Sequence, residues 1–221
     1  MNDKYKFMAP VYNFLSTIYS VGKIDRCREA MIGVVGNDHK VLFAGVGHGK
    51  EAIKLIKNGA NVTVVDLSAG MLRQFEELRK KNKISDGCTA IHDSILNVDK
   101  FEQYDYVFAN FFLNIFPEDQ MELMLDHLLK LVKPGGSIVI GDWSYPKGNP
   151  ISQLINKLSW YFGALPFIIM TGNAFHPIYN YAKLLQDRGF EITEKKYFRN
   201  VGVNCYCSIR ALKRNVTAQA A

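Results

Sequence analysis

A short apolar run, Val41-Leu42-Phe43-Ala44, passes directly into Gly45-Val46-Gly47-His48-Gly49, and residues Glu51 to Asn58 then follow helical spacing. A buried strand that turns into a helix through three glycines has few uses. The glycines let the backbone take left-handed conformations and approach a ligand closely, and the helix N-terminus points its free N–H groups at the same place. Gly59 ends that helix, and Val62-Thr63-Val64-Val65 forms the next strand, closing at Asp66. This is one βαβ unit.

The alternation continues. The pattern predicts a helix from Ala69 to Lys81, a strand near Thr89 to His92, a strand Tyr104 to Ala109, a helix Pro117 to Val132 and a strand Ser137 to Gly141. Parallel strands need crossover helices that cover both sheet faces, so the expected fold is α/β with a mostly parallel sheet. Ahead of it, Phe7, Val11, Phe14, Leu15, Ile18 and Tyr19 sit at helical spacing, broken by Pro10 and Gly22, which predicts short N-terminal helices. Residues 150–175 break the rhythm with a large apolar insertion before a last helix, Tyr179 to Asp187, and terminal strands Glu191 to Phe198 and Asn204 to Leu212. The tail from Lys213 looks frayed. The expected organisation is a single domain: cap helices over 1–36, then 37–221 with a substrate-cap insertion at about 146–178.

Net charge is +6, but the basic residues are scattered and only Arg79-Lys80-Lys81 approaches a run, which reads as a solvated helix end rather than a nucleic-acid patch. Cys27, Cys88, Cys205 and Cys207 match neither zinc-knuckle spacing nor a disulfide framework and read as reduced thiols. No apolar run reaches the roughly 18 residues of a membrane span, and the N-terminus lacks a signal-peptide core. The expected location is cytoplasmic, or peripheral at a membrane.

The loop departs from the dinucleotide fingerprint Gly-x-Gly-x-x-Gly because position 50 is lysine, which argues against a dehydrogenase. Asp66 ends the following strand about 20 residues on, where a ribose-binding acid belongs. A plain turn remains the alternative for the loop taken alone.

Residues Val62 to Leu72, Tyr104 to Asn110 and Leu128 to Gly136 resemble successive motifs of class I S-adenosylmethionine (SAM)-dependent methyltransferases. The resemblance implies a Rossmann-like, seven-stranded sheet with an antiparallel last strand. It also implies SAM as cofactor, with Gly45, Gly47 and Gly49 at its backbone and Asp66 on the ribose hydroxyls. Leu67 and Met71 would flank the adenine, Asp93 with Ser94 would meet its amine, and Asn110 would lie beside the methionyl part. For Asp93 and Asn110 the alternative is a turn or cap residue. Family members carry an acid where this chain has Phe43, which cannot accept a hydrogen bond.

The outer segments narrow the resemblance. Phe7-Met8-Ala9-Pro10-Val11-Tyr12-Asn13 and Leu184-Leu185-Gln186-Asp187-Arg188-Gly189-Phe190 are similar to the ends of ubiquinone and menaquinone biosynthesis C-methyltransferases. That implies a small lipophilic acceptor, a quinone or its precursor. A related variant group, the rhodoquinone biosynthesis enzymes, uses SAM to supply an amino group to ubiquinone, and Phe43 is a change that could accompany such a switch. A non-catalytic SAM-binding protein is the third reading. Candidate general bases are His176, Asp142 and Tyr145, with His176 alternatively a loop residue, and Tyr12 either closes over the cofactor or packs. Metal need and oligomeric state are not indicated by the sequence.

Overall fold

The computed structural model describes residues 22–171, 176–200 and 202–214. The N-terminal helix motif, Tyr12 and the tail from 215 onward lie outside the described residues. The strands are Lys40–Ala44 (β1), Asn61–Asp66 (β2), Cys88–His92 (β3), Tyr104–Asn110 (β4), Val132–Trp143 (β5), Phe190–Asn200 (β6) and Val203–Lys213 (β7). The described helices are Lys23–Glu29 (α1), Lys50–Lys57 (α2), Ala69–Lys81 (α3), Glu118–Leu131 (α4), Pro150–Thr171 (α5) and Tyr181–Asp187 (α6). One seven-stranded sheet runs β3-β2-β1-β4-β5-β7-β6, parallel from β3 to β5 and antiparallel where β7 meets β5 and β6. This is the Rossmann-like class I methyltransferase architecture that the alternation and the motifs predict.

Both sheet faces are buried, as a parallel sheet requires. Along β1, Val41 and Phe43 enter one core with Val64, Phe75 and Val139, while Leu42 and Ala44 enter the other with Val107, Leu125, Leu128 and Ile140. Period-two alternation therefore assigns successive residues of one apolar run to opposite layers. A third, smaller cluster joins Cys27, Trp143, Trp160, Ile178, Cys205 and Tyr206, and ties α1 and α5 to the β5–β7 end of the sheet.

Strand β5 is longer than its apolar stretch predicts. Val132 pairs with Tyr104 across an irregularity in the ladder, and Asp142 and Trp143 pair with Cys207 and Tyr206 of β7. Gly136 permits the close passage at the start: a Cβ there would lie 2.9 Å from the Asp105 carbonyl oxygen and 3.0 Å from that of Lys133. Asn149 starts α5 by accepting the Ser152 N–H at 2.8 Å. Arg79, Lys80 and Lys81 do close the last turn of α3, where cations complement the helix dipole. Among the described residues, no helix is long and apolar enough to cross a membrane.

Candidate functional site

In open α/β sheets, ligands bind beyond the carboxyl ends of the parallel strands. Here the ends of β1, β2, β4 and β5 carry the glycine loop, Asp66, Asn110 and Asp142.

Gly45, Gly47 and Gly49 all have positive φ, at 77°, 52° and 67°. Gly49 has no room for a side chain either, since a Cβ would stand 2.4 Å from the Phe75 ring. The loop is latched to the next strand. One Asp66 carboxylate oxygen accepts the Val46 N–H at 2.9 Å and the other accepts the Ser68 N–H at 2.8 Å. These two amides fix the orientation of the carboxylate. Beside it Leu67 is 59% exposed, an aliphatic side chain held in solvent at the rim of the loop. Ser68 caps α3 by accepting the Met71 N–H, which places half-buried Met71 over the same region.

Asp93 and Ser94 form a turn. Asp93 accepts the Ser94 and Asn97 N–H groups, and Ser94 caps the short helical turn that follows. Asn110 bridges three segments: its carbonyl oxygen accepts the Gly141 N–H at 3.1 Å and its amide donates to the Arg28 carbonyl at 3.2 Å. Phe43 is buried in the core, its ring stacked on Phe108 with centroids 4.9 Å apart.

The residue that sequence reasoning missed is Arg28, on α1. Its guanidinium donates to His48 Nδ1 at 2.6 Å, lies over the Phe111 ring and comes within 4.0 Å of where a Cβ would sit on Gly47. Only 9% of it is exposed, and its buried Nε has no hydrogen-bond partner. Burial, with Arg28 and Lys50 nearby, lowers the His48 pKa to about 4, so the ring is neutral and accepts from Arg28. A buried cation with an unused donor beside the glycine loop is built for an anion. A signal was present: Arg28 shares a helical face with Ile24, Cys27 and Met31, the face that must turn inward.

Asp142 lies across Asn110 and Gly141 from this loop. It is 1% exposed, accepts the Trp143 N–H at 2.7 Å and the Tyr181 hydroxyl at 2.9 Å, and is also hydrogen-bonded by the Asn114 backbone. Burial outweighs these donors and pushes its carboxyl up to about 7, while burial and the neighbouring Asp142 push Tyr181 well up as well. A small cavity of ≈10 Å³, room for about one water, adjoins it, walled by Asn114, Trp143, Trp160, His176 and Tyr179. The side-chain oxygen of Asn114 is buried there without a hydrogen-bond partner.

His176 stacks flat on Tyr179 at 4.8 Å, and both of its ring nitrogens face carbonyl oxygens, those of Asn114 at 2.8 Å and Pro177 at 2.9 Å. It therefore forms a wall of the cavity. Tyr145 stands apart, 45% exposed, in a neighbouring groove with Lys147, Lys195 and Tyr197. Of the three candidate bases, Asp142 and His176 share the cavity. No group of His, Cys, Asp and Glu suited to a metal occurs among the described residues.

Comparison with known proteins agrees with this geometry. A family model described as a methyltransferase domain matches residues 41–136. Demethylmenaquinone methyltransferases are similar over much of the chain. That of Thermobifida fusca is 29% identical over 157 residues, 69% of this chain and 64% of the relative. That of Clavibacter sepedonicus is 30% identical over 142 residues, 63% of this chain and 56% of the relative. The chain thus spans 64% and 56% of the length of these two relatives. Among solved structures, a Burkholderia thailandensis 1,6-didemethyltoxoflavin-N1-methyltransferase, bound to its substrate and S-adenosylhomocysteine, superposes with TM-score 0.66 at 16% identity, covering 96% of this chain and 90% of that one. The cyclase SpnF shares the fold at TM-score 0.62 and 11% identity, covering 85% and 80% of the two chains. The chain has the class I methyltransferase fold and is similar to quinone-methylating enzymes, and SpnF shows that this fold also serves other chemistry.

Proposed function

We propose that this chain, with a class I methyltransferase fold, is a SAM-dependent transferase acting on a lipophilic aromatic acceptor, a quinone or quinone precursor. The observation that carries the reading is the meeting, at one sheet edge, of the positive-φ glycine loop latched to Asp66 and the buried carboxyl of Asp142 in an aromatic-walled cavity. The residues present fit SAM. Asp66 would accept from the ribose hydroxyls, Leu67 and Met71 would flank the adenine, the Asp93–Ser94 turn would meet its amine, and Asn110 would adjoin the methionyl part. Arg28, whose buried Nε has no hydrogen-bond partner among the described residues, would take the carboxylate and supply the polar anchor that Phe43 cannot.

When bound, SAM supplies a methyl carbon activated by its sulfonium. The protein's contribution is alignment, water exclusion and one proton transfer. With SAM bound, Asp142 would take the proton that the acceptor's ring carbon or hydroxyl releases as it gains the methyl group. Tyr181 and the Asn114 and Trp143 amides hold the Asp142 carboxylate in place to receive the proton, and the Asn114 side-chain oxygen would accept from an acceptor hydroxyl. The cavity has room for about one water, so the Trp160 and His176 walls must part to admit a ring.

Incubation with SAM and a demethylated naphthoquinone, followed by mass spectrometry, is expected to show gain of one methyl group. Unchanged quinones despite tight SAM binding would favour a non-catalytic SAM-binding protein. A second reading, amino-group transfer from SAM to ubiquinone as in rhodoquinone biosynthesis, is favoured by one observation: Phe43 packs on Phe108 where the family resemblance leads one to expect an acid. Incubation with ubiquinone, SAM and a divalent metal tests it, and only methylated or unchanged quinone would sink it.

A further inference from the structure

Helix α5 is patterned inside out. Its inward face carries Asn156, 4% exposed and donating to the Asn204 carbonyl at 2.6 Å, and Trp160, packed edge-on against Trp143. Its outward face carries Ile151, Leu154, Leu158 and Tyr161, exposed by 70%, 57%, 47% and 41%. Their spacing of three, four and three residues puts them in one stripe along the helix, with exposed Lys157 at its margin. Scattered exposed apolar residues are ordinary, but an aligned stripe on the solvent side of a helix marks an interaction surface.

We infer that the outer face of α5 docks on an anionic lipid bilayer, lying in the plane of the interface rather than crossing it. Charge decides the occupant. No aspartate or glutamate occurs between Asp142 and Asp187, whereas Lys147 and Lys157 precede and adjoin the stripe, in a chain of net charge +6. Apolar side chains flanked by lysines, with a tyrosine at one end of the stripe, suit the boundary of headgroups and acyl chains. A second copy of the chain would bring lysine against lysine with no acid in the segment to pair it. The inward side of the same helix contributes Trp160 to the Asp142 cavity, so docking would place that cavity beside the phase in which a lipophilic acceptor dissolves. In purpose, though not in geometry, the inference rests on the lipophilic-acceptor reading.

Flotation with vesicles of phosphatidylcholine, with and without an equal part of phosphatidylglycerol, tests docking with neither SAM nor acceptor present. The intact protein is expected to float with the anionic vesicles and to be released by high salt. The double variant Leu154→Gln, Leu158→Gln is expected to lose on the order of tenfold or more in partitioning, with unchanged Tm and SAM affinity because both residues point to solvent. No flotation of the intact protein, or equal flotation of the variant, would overturn the inference. So would a concentration-dependent dimer, seen by sedimentation, that the double variant abolishes while vesicles are ignored. Flotation without turnover of any quinone would sink the acceptor reading and leave docking standing. Turnover of a short-tailed quinone by a protein that never floats would do the reverse.

Discussion

The two ends of the sheet are built by different means. The β1–β3 end holds its ligand site with backbone: three positive-φ glycines, the Val46 and Ser68 amides, and one acid that orients them. The β5–β7 end holds its site with side chains drawn from distant segments, Asp142 from β5, Tyr181 from α6, Trp160 from α5, and His176 and Asn114 from connections. Arg28 of α1 stands between them, bonded to His48 on one side and electrostatically coupled to Asp142 on the other. A backbone-built site constrains residue types within a short stretch, whereas a side-chain-built site can be redrawn by changes scattered along the chain. The match to a methyltransferase domain accordingly covers 41–136 and stops short of Asp142. In the proposed function, the first end sets the cofactor and the second sets the acceptor.

Separate damage to each end tests that division. The largest effect is expected from Gly49→Ala, which forces a side chain into a left-handed position and into Phe75, at a cost on the order of 2 kcal/mol or more. SAM binding in calorimetry and Tm should both drop. Next, Asp142→Asn should lower kcat on the order of 100-fold or more while SAM affinity stays unchanged. Parallel losses in both quantities would erase the boundary between the two ends.

Arg28→Gln should raise the Kd for SAM roughly 10- to 100-fold, the worth of a charge-assisted hydrogen bond. Decarboxylated SAM should bind wild type and variant alike, because the group that Arg28 holds is missing from it. Equal losses for both ligands would mean that Arg28 only supports the loop through His48.

A further test is the pH dependence of stability and turnover. The Asp142 carboxyl ionises near 3.8 when unfolded and near 7 when folded, so between these values the folded state holds the extra proton. Stability should fall as pH rises from about 4 to about 7 and then level off, and Asp142→Asn should flatten that slope. Turnover moves the other way, rising through pH 7 as the base becomes a carboxylate. A pH-independent kcat would remove Asp142 from the chemistry.

What could be read from the sequence follows the same division. The βαβ alternation, helix α3 from Ala69 to Lys81 and the glycine loop were legible because each rests on local constraint: periodicity, a Ser68 cap, a glycine at positive φ. The full length of β5 was not, because its outer residues are strand only through pairing with Tyr104 and with β7. The apolar insertion was visible as composition, but composition does not say that Leu154 and Leu158 face outward while Asn156 faces in. Asp142 could be named as a candidate, yet its raised pKa depends on burial among residues some 40 positions away, such as Tyr181. Phe43 was recognised as a departure, and only the fold brings Arg28 beside the loop.

The central claim, that one end binds SAM and the other performs the transfer, is tested most directly by titrating SAM calorimetrically into the intact protein, Asp66→Ala and Asp142→Asn. The account predicts that Asp66→Ala weakens binding on the order of tenfold or more while Asp142→Asn leaves it unchanged. Undiminished SAM affinity in Asp66→Ala would contradict it.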